Sequence, residues 1–145
     1  MARDEARAGG SVGVTGIEAM ADAIQHHEGW WPGSCSYRNR NPGNLRPYAP
    51  GQAVDARGYR VFDTLLDGYA ALKADLTAKV LGHTKHNLSE TSTLDDLFDV
   101  YAPRADYNDP NSYAEDVAHW LTVALGKPCD HNSTLRYVCA ELFGG

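Results

Sequence analysis

Apolar residues recur at helical spacing in five stretches of the chain. The first opens at Thr15, with Glu18 three residues on in capping-box spacing. It runs through Ile17, Met20, Ala21 and Ile24 and stops at Gly29. The second opens at Thr64 with Asp67 three on, carries Leu65, Tyr69, Leu72, Leu76 and Val80, and stops at Gly82. The third follows Ser92, with Leu94, Leu97, Phe98 and Tyr101, and closes at Pro103. The fourth starts near Asn111, carries Tyr113, Val117, Trp120, Leu121 and Ala124, and ends at Gly126 before Pro128. The fifth follows Ser133, with Leu135, Val138, Cys139 and Leu142.

Between the first and second helices the pattern changes. Residues 32–62 hold four of the seven prolines and many Asn, Gly and Arg residues. Tyr59 and Val61 alternate with polar neighbours, and Asp55-Ala-Arg-Gly58 reads as a turn. The pattern predicts an α+β fold, mainly α: a helical body with a small β-hairpin lobe inserted after the first helix. Residues 15–145 form one domain in this reading. Residues 1–14, rich in Ala, Arg and Gly, are a flexible lead-in.

The chain has 145 residues, of which 43% are hydrophobic and 22% charged, an ordinary globular balance. No run of 18 apolar residues exists, so a membrane-spanning helix is excluded. The net charge of −6 argues against a non-specific nucleic-acid binder. That charge is unevenly spread. Residues 33–62 carry Arg38, Arg40, Arg46, Arg57 and Arg60 against Asp55 alone, a local balance of +4. Such a stretch is either an ordinary arginine-bearing surface or a groove for a carboxylate-rich polymer. Cys35, Cys129 and Cys139 lack metal spacing, although Cys129 and Cys139 are close enough in sequence to pair. His83 and His86 stand at i,i+3 without a third ligand nearby and read as a solvated loop. No cofactor is expected.

Glu28 is the residue that stands out chemically. It is the next position on the apolar face of the first helix, at the negative end of the helix dipole. Trp30 and Trp31 follow as apolar walls. This is a setting for a carboxylic acid that donates a proton to a glycosidic oxygen. The handling of a carboxyl group against a tryptophan is known from lysozyme. The same position also fits a solvated helix end.

The string Ala23-Ile-Gln-His-His-Glu28-Gly-Trp, followed by Tyr37-Arg-Asn-Arg-Asn-Pro-Gly-Asn-Leu-Arg46, resembles the lysozyme-like superfamily. Within it, the chain is similar to phage and bacterial peptidoglycan-cleaving proteins, muramidases and lytic transglycosylases. Tyr59-Arg-Val-Phe62, Asp67-Gly-Tyr-Ala-Ala-Leu72 and the run from Thr93 through Tyr101-Ala-Pro, Asn108-Asp-Pro and Tyr113-Ala to Val117-Ala extend the likeness over roughly residues 17–125. The resemblance implies a lysozyme-like fold with its cleft between helical body and β-lobe. It implies Glu28 as catalytic acid and a tyrosine from a later helix beside it, Tyr113 or else Tyr101. The chain departs from many lytic transglycosylases in having Glu28-Gly29 for Glu-Ser, in lacking their Gly-Leu-Met-Gln stretch, and in following Tyr107-Asn108 with Asp-Pro.

The expected activity is cleavage of the β-1,4 bond between N-acetylmuramic acid and N-acetylglucosamine. Asn41 and Asn44, around the Pro42-Gly43 turn, offer donors and acceptors for sugar hydroxyl and N-acetyl groups. Arg38, Arg40 and Arg46 suit lactyl or stem-peptide carboxylates, and Tyr37 and Tyr48 suit sugar faces. Tyr101 and Asn108 complete the expected cleft. Asp63 or Asp55 is the candidate second carboxylate. Without one, Glu28 serves as acid and then base, which favours attack by the substrate's own hydroxyl or an inverting water. The rival reading is a non-catalytic lysozyme-like module, wall-binding or structural in a virion. The expected partner is the glycan strand, with no nucleic acid and no membrane, and the chain a monomer unless part of a virion. Met1 to Gly16 lacks an apolar signal core, so action at the bacterial wall implies a virion-borne protein or one released at lysis.

Overall fold

The computed structural model describes residues 13–102 and 109–144. Helix α1 (Gly16–Glu28) is followed by a one-turn helix α2 (Cys35–Arg38), then α3 (Leu65–Val80), α4 (Leu94–Tyr101), α5 (Pro110–Leu125), α6 (Leu135–Val138) and a 3-10 turn at Ala140–Phe143. Each α-helix begins at a side-chain cap. Thr15 and Thr93 close reciprocal boxes with Glu18 and Asp96. Ser34, Thr64, Asp109 and Thr134 each accept from a first-turn N–H. One such cap is worth about 1 kcal/mol.

The apolar stripes meet in one buried cluster. Met20 and Ile24 of α1, Leu72 and Leu76 of α3, Leu97 and Phe98 of α4, Val117 and Leu121 of α5, and Leu135 of α6 are all fully enclosed. α1 packs on α5 and α3, and α4 packs on α5. Val14 joins the edge of this cluster, so the last lead-in residue belongs to the folded body. Residues 1–12, the rest of the expected lead-in, lie outside the described residues. The Glu141 carboxylate reaches back to the N–H groups of Gly16 and Ile17 at 3.1 and 3.2 Å, fixing the end of the chain on the start of α1. Among the described residues no helix is long and apolar enough to cross a membrane.

The molecule is mainly helical, and the expected β-hairpin lobe is not formed. Between α1 and α3 a single antiparallel bridge joins Val54 to Arg60. The reason lies in the side chains that take the backbone's partners. Asp55 Oδ1 accepts from the N–H of Arg57 and of Tyr59, an Asx turn that competes with ladder pairing. Asn41 Nδ2 donates to the carbonyls of Leu45 and Arg60, and Asn41 Oδ1 accepts from Leu45 N–H. The segment is thus a coil stapled by Asn and Asp. Cys129 and Cys139 are not joined; all three cysteines are free thiols. Burial pushes the Cys139 thiol up to about 12.

Candidate active site

α1 delivers Glu28 at its last turn, and Gly29 ends the helix at φ 93°, where a side chain would run into the Trp31 ring. Ser36 Oγ donates to the Gly29 carbonyl at 2.6 Å, tying this helix end to α2. Both carboxylate oxygens of the half-buried Glu28 are engaged. Asn44 Nδ2 donates to Oε1 at 2.9 Å, and the Tyr113 hydroxyl donates to Oε2 at 2.7 Å.

Asn44 reaches Glu28 because the Asn41-Pro42-Gly43-Asn44 loop is held tightly. Asn41 is fully buried, with its amide spent on the backbone as described, so it builds the loop and presents nothing to the cleft. Asn44 sits at φ 48°, a left-handed conformation that asparagine tolerates. Its buried Oδ1 has no hydrogen-bond partner among the described residues. Gly43 touches the Tyr101 hydroxyl, which donates to its carbonyl at 2.7 Å, and a Cβ at Gly43 would collide with that hydroxyl and with Leu72.

Tyr113 is fixed from both faces. The Phe98 ring stacks on one side, 4.7 Å between centroids, and the His27 ring on the other, at 3.7 Å. His27 Nδ1 is in turn held by Asp116 at 2.7 Å, one turn along α5 from Tyr113. Burial, with Tyr101 and Glu28 adding to it, pushes the Tyr113 phenol well above the ordinary tyrosine range. The hydroxyl therefore stays a donor toward Glu28.

Glu28 opens into a cavity of about 610 Å³. The loop lines it from Gly43 to Pro47, together with Tyr59, Asp75, Lys79, Lys85, His86 and Tyr101. Arg46 lies over the Tyr59 ring, 4.4 Å from its centroid, and donates to the Arg57 carbonyl. Asp75 is the cavity's second carboxylate, and both its oxygens hold Lys79 Nζ at 2.6 and 2.7 Å.

The structure thus brings Glu28, Tyr113, Tyr101, Asn44 and Arg46 together, and sets other expected residues elsewhere. Tyr37, Arg38 and Arg40 line a separate groove with Trp30, Pro32 and Leu65. Tyr48 is 85% exposed. Asp63 is exposed ahead of α3 and does not line the cavity. Asp55 accepts from Asn39 Nδ2 at 2.8 Å, and that bond and the Tyr59 N–H hold its carboxyl well below the usual range. Asn108 lies outside the described residues. Sequence reasoning passed over Asp75, Lys79, Lys85 and Tyr59 as cavity residues. Only Asp75 and Lys79 left a trace, an i,i+4 pair on one helix face.

No protein-family model, curated protein or solved structure matches the chain.

Proposed function

We propose that this protein has a lysozyme-like fold and cleaves the β-1,4 bond between N-acetylmuramic acid and N-acetylglucosamine in bacterial peptidoglycan, with Glu28 as general acid. The observation that carries the reading is the double hold on Glu28. An amide donor on one oxygen and a phenol donor on the other aim a half-buried carboxyl group into a cavity of about 610 Å³. A cavity of that size takes a short stretch of glycan. Its lining is polar and cationic, with Arg46 and Lys85 suited to the carboxylates of a wall strand. The order of motifs around Glu28 and the 41–44 loop, similar to wall-cleaving proteins, supports the same conclusion.

In this reading a sugar ring enters beside Tyr101, and the glycosidic oxygen comes within reach of Glu28. Proton transfer from the carboxyl group to that oxygen lets the C1–O bond break. Tyr113 and Asn44 fix the carboxyl group in place, so that little orientation is lost in the transition state.

Replacing Glu28 by Gln tests it. Gln keeps the volume but donates no acidic proton, and general-acid assistance is worth roughly 10²–10⁴ in rate. Zymography on purified walls should show lysis by the parent and none by E28Q at an unchanged melting temperature. Lysis by E28Q within about threefold of the parent would refute Glu28 as the acid. A folded parent that binds walls without lysing them would identify the non-catalytic module instead.

A further inference from the structure

A second groove, with a different set of lining residues, is not used by the proposed reaction. Its volume is about 560 Å³, and its lining is Trp30, Pro32, Tyr37, Arg38, Arg40 and Leu65. None of these residues lines the Glu28 cavity. The two sites are nonetheless neighbours along the chain. Trp30 stands two residues past Glu28, and Arg40 three before Gly43.

We infer that this groove binds the carboxylate-bearing stem peptide of the wall polymer, at a point apart from the bond that is cut. The inference rests on the wall-strand reading of the function. Charge carries the first part of it. Two arginines face the groove, and no acidic side chain among the described residues lines it. Among the described residues neither Arg38 nor Arg40 makes an ion pair. Each is anchored by Nε alone, Arg38 to the Ser34 carbonyl at 3.4 Å and Arg40 to the Phe62 carbonyl at 2.6 Å. The terminal guanidinium nitrogens stay available, in a setting that has already restricted the side chains.

Shape carries the second part. The Trp30 and Tyr37 rings meet edge to face, 5.2 Å apart at 60°, and so form a corner rather than one flat platform. A pyranose stacks on a single flat face. A short peptide with methyl groups and carboxylates fits an aromatic corner closed by Pro32 and Leu65. Tyr37 and Leu65 are 42% and 39% exposed, large apolar side chains left open to solvent at this spot.

Nitrogen–proton NMR of the full chain tests the site with three probes: a synthetic stem tripeptide with free carboxylates, its amidated form, and N-acetylmuramic acid. The free tripeptide should shift the Trp30 indole and the Tyr37 and Arg38 signals saturably. Amidation, or Arg38→Glu, should weaken that binding about tenfold or more, the size of one lost charge-assisted hydrogen bond. Tyr37→Ala, also at an exposed position, should weaken it as well, and the unbound spectra report whether each variant is folded. No shift at millimolar peptide, shifts confined to the Glu28 cavity, or equal binding of the amidated peptide would overturn the proposal. So would N-acetylmuramic acid shifting the groove as strongly as the peptide, which would make the sugar the ligand. A parent that seats the peptide but lyses no wall would remove the enzymatic reading and leave this site. A parent that lyses walls without seating the peptide would do the reverse.

Discussion

Between the rings of His27 and Phe98, Tyr113 has little freedom except in what its hydroxyl meets. Tyr113→Phe keeps the ring stack and removes only the donor to Glu28 Oε2. Leaving a buried polar partner unsatisfied costs about 1–3 kcal/mol, so wall lysis should fall roughly 5- to 100-fold. The same bond is present in the resting protein, so the melting temperature should also fall by several degrees while the variant stays folded. A turbidity-clearing assay beside a thermal melt checks both, and full activity in this variant would show that the phenol merely packs. Asp55 gives a prediction of opposite kind, for stability alone. Its folded carboxyl lies below the unfolded value, held there by Asn39 and the Tyr59 N–H. The stabilisation is therefore complete above the unfolded value, about 3.9, and is lost as pH falls through the folded one. Asp55→Asn should lower the melting temperature at neutral pH, and the gap to the parent should narrow below about pH 3.9. A gap that is constant with pH would exclude the charged hydrogen bonds as its cause.

Helices were legible in the sequence because their ends carry chemistry: Thr15, Thr64 and Ser/Thr at 92–93 precede apolar periods, and Gly29, Gly82 and Pro103 follow them in turn. The 32–62 segment was not, because its structure is made by side chains bonding to distant backbone. Nothing local shows that Asn41 will take the carbonyls of Leu45 and Arg60, and α2 is too short to show a period. The site divided in the same way. Glu28 was visible as a break in an apolar stripe, whereas Lys85 and His86 reach the cavity from a loop whose path no periodicity encodes. Gly68 shows how α3 and the loop depend on each other. It lies in α3 directly on Arg40, where a Cβ would run into the Arg40 carbonyl oxygen. Alanine there adds about 1 kcal/mol of helix propensity. The collision involves backbone, which cannot swing aside, and overpacking of this kind costs typically 1–3 kcal/mol. Gly68→Ala should therefore lower the urea midpoint, and wall lysis with it, since Asn44 rides on the displaced loop. An unchanged or raised midpoint would mean that the loop yields freely.

At the scale of the whole molecule, a chain of net charge −6 places Arg46, Lys79 and Lys85 around a cavity that has two carboxylates among its described lining residues, Glu28 and Asp75. How those carboxylates are occupied bears on the product. A retaining hydrolase needs its second carboxylate about 5–5.5 Å from the acid, and an inverting one needs it about 6.5–9.5 Å away with a water between. Asp75 has both oxygens on Lys79 Nζ, which leaves it a poor nucleophile and a poor base. Asp55 and Asp63 do not line the cavity. Among the described residues, and on the proposed reaction, Glu28 is then the group left to act twice. It gives its proton to the departing O4 as the C1–O4 bond breaks. It takes one back from the muramic acid 6-hydroxyl as that oxygen bonds to C1. The acid is regenerated and no water is consumed, so the muramyl end closes into a 1,6-anhydro ring. Mass spectrometry of the released muropeptides should therefore find ends lighter by one water than hydrolysed ones. On this proposed route Tyr113, which donates to the same carboxyl group, would steady it through both transfers. Exclusively hydrated, reducing ends would overturn this route. In that event Asp75→Asn decides where the water is activated: loss of lysis with an intact fold would show Asp75 released from Lys79 when the strand is bound.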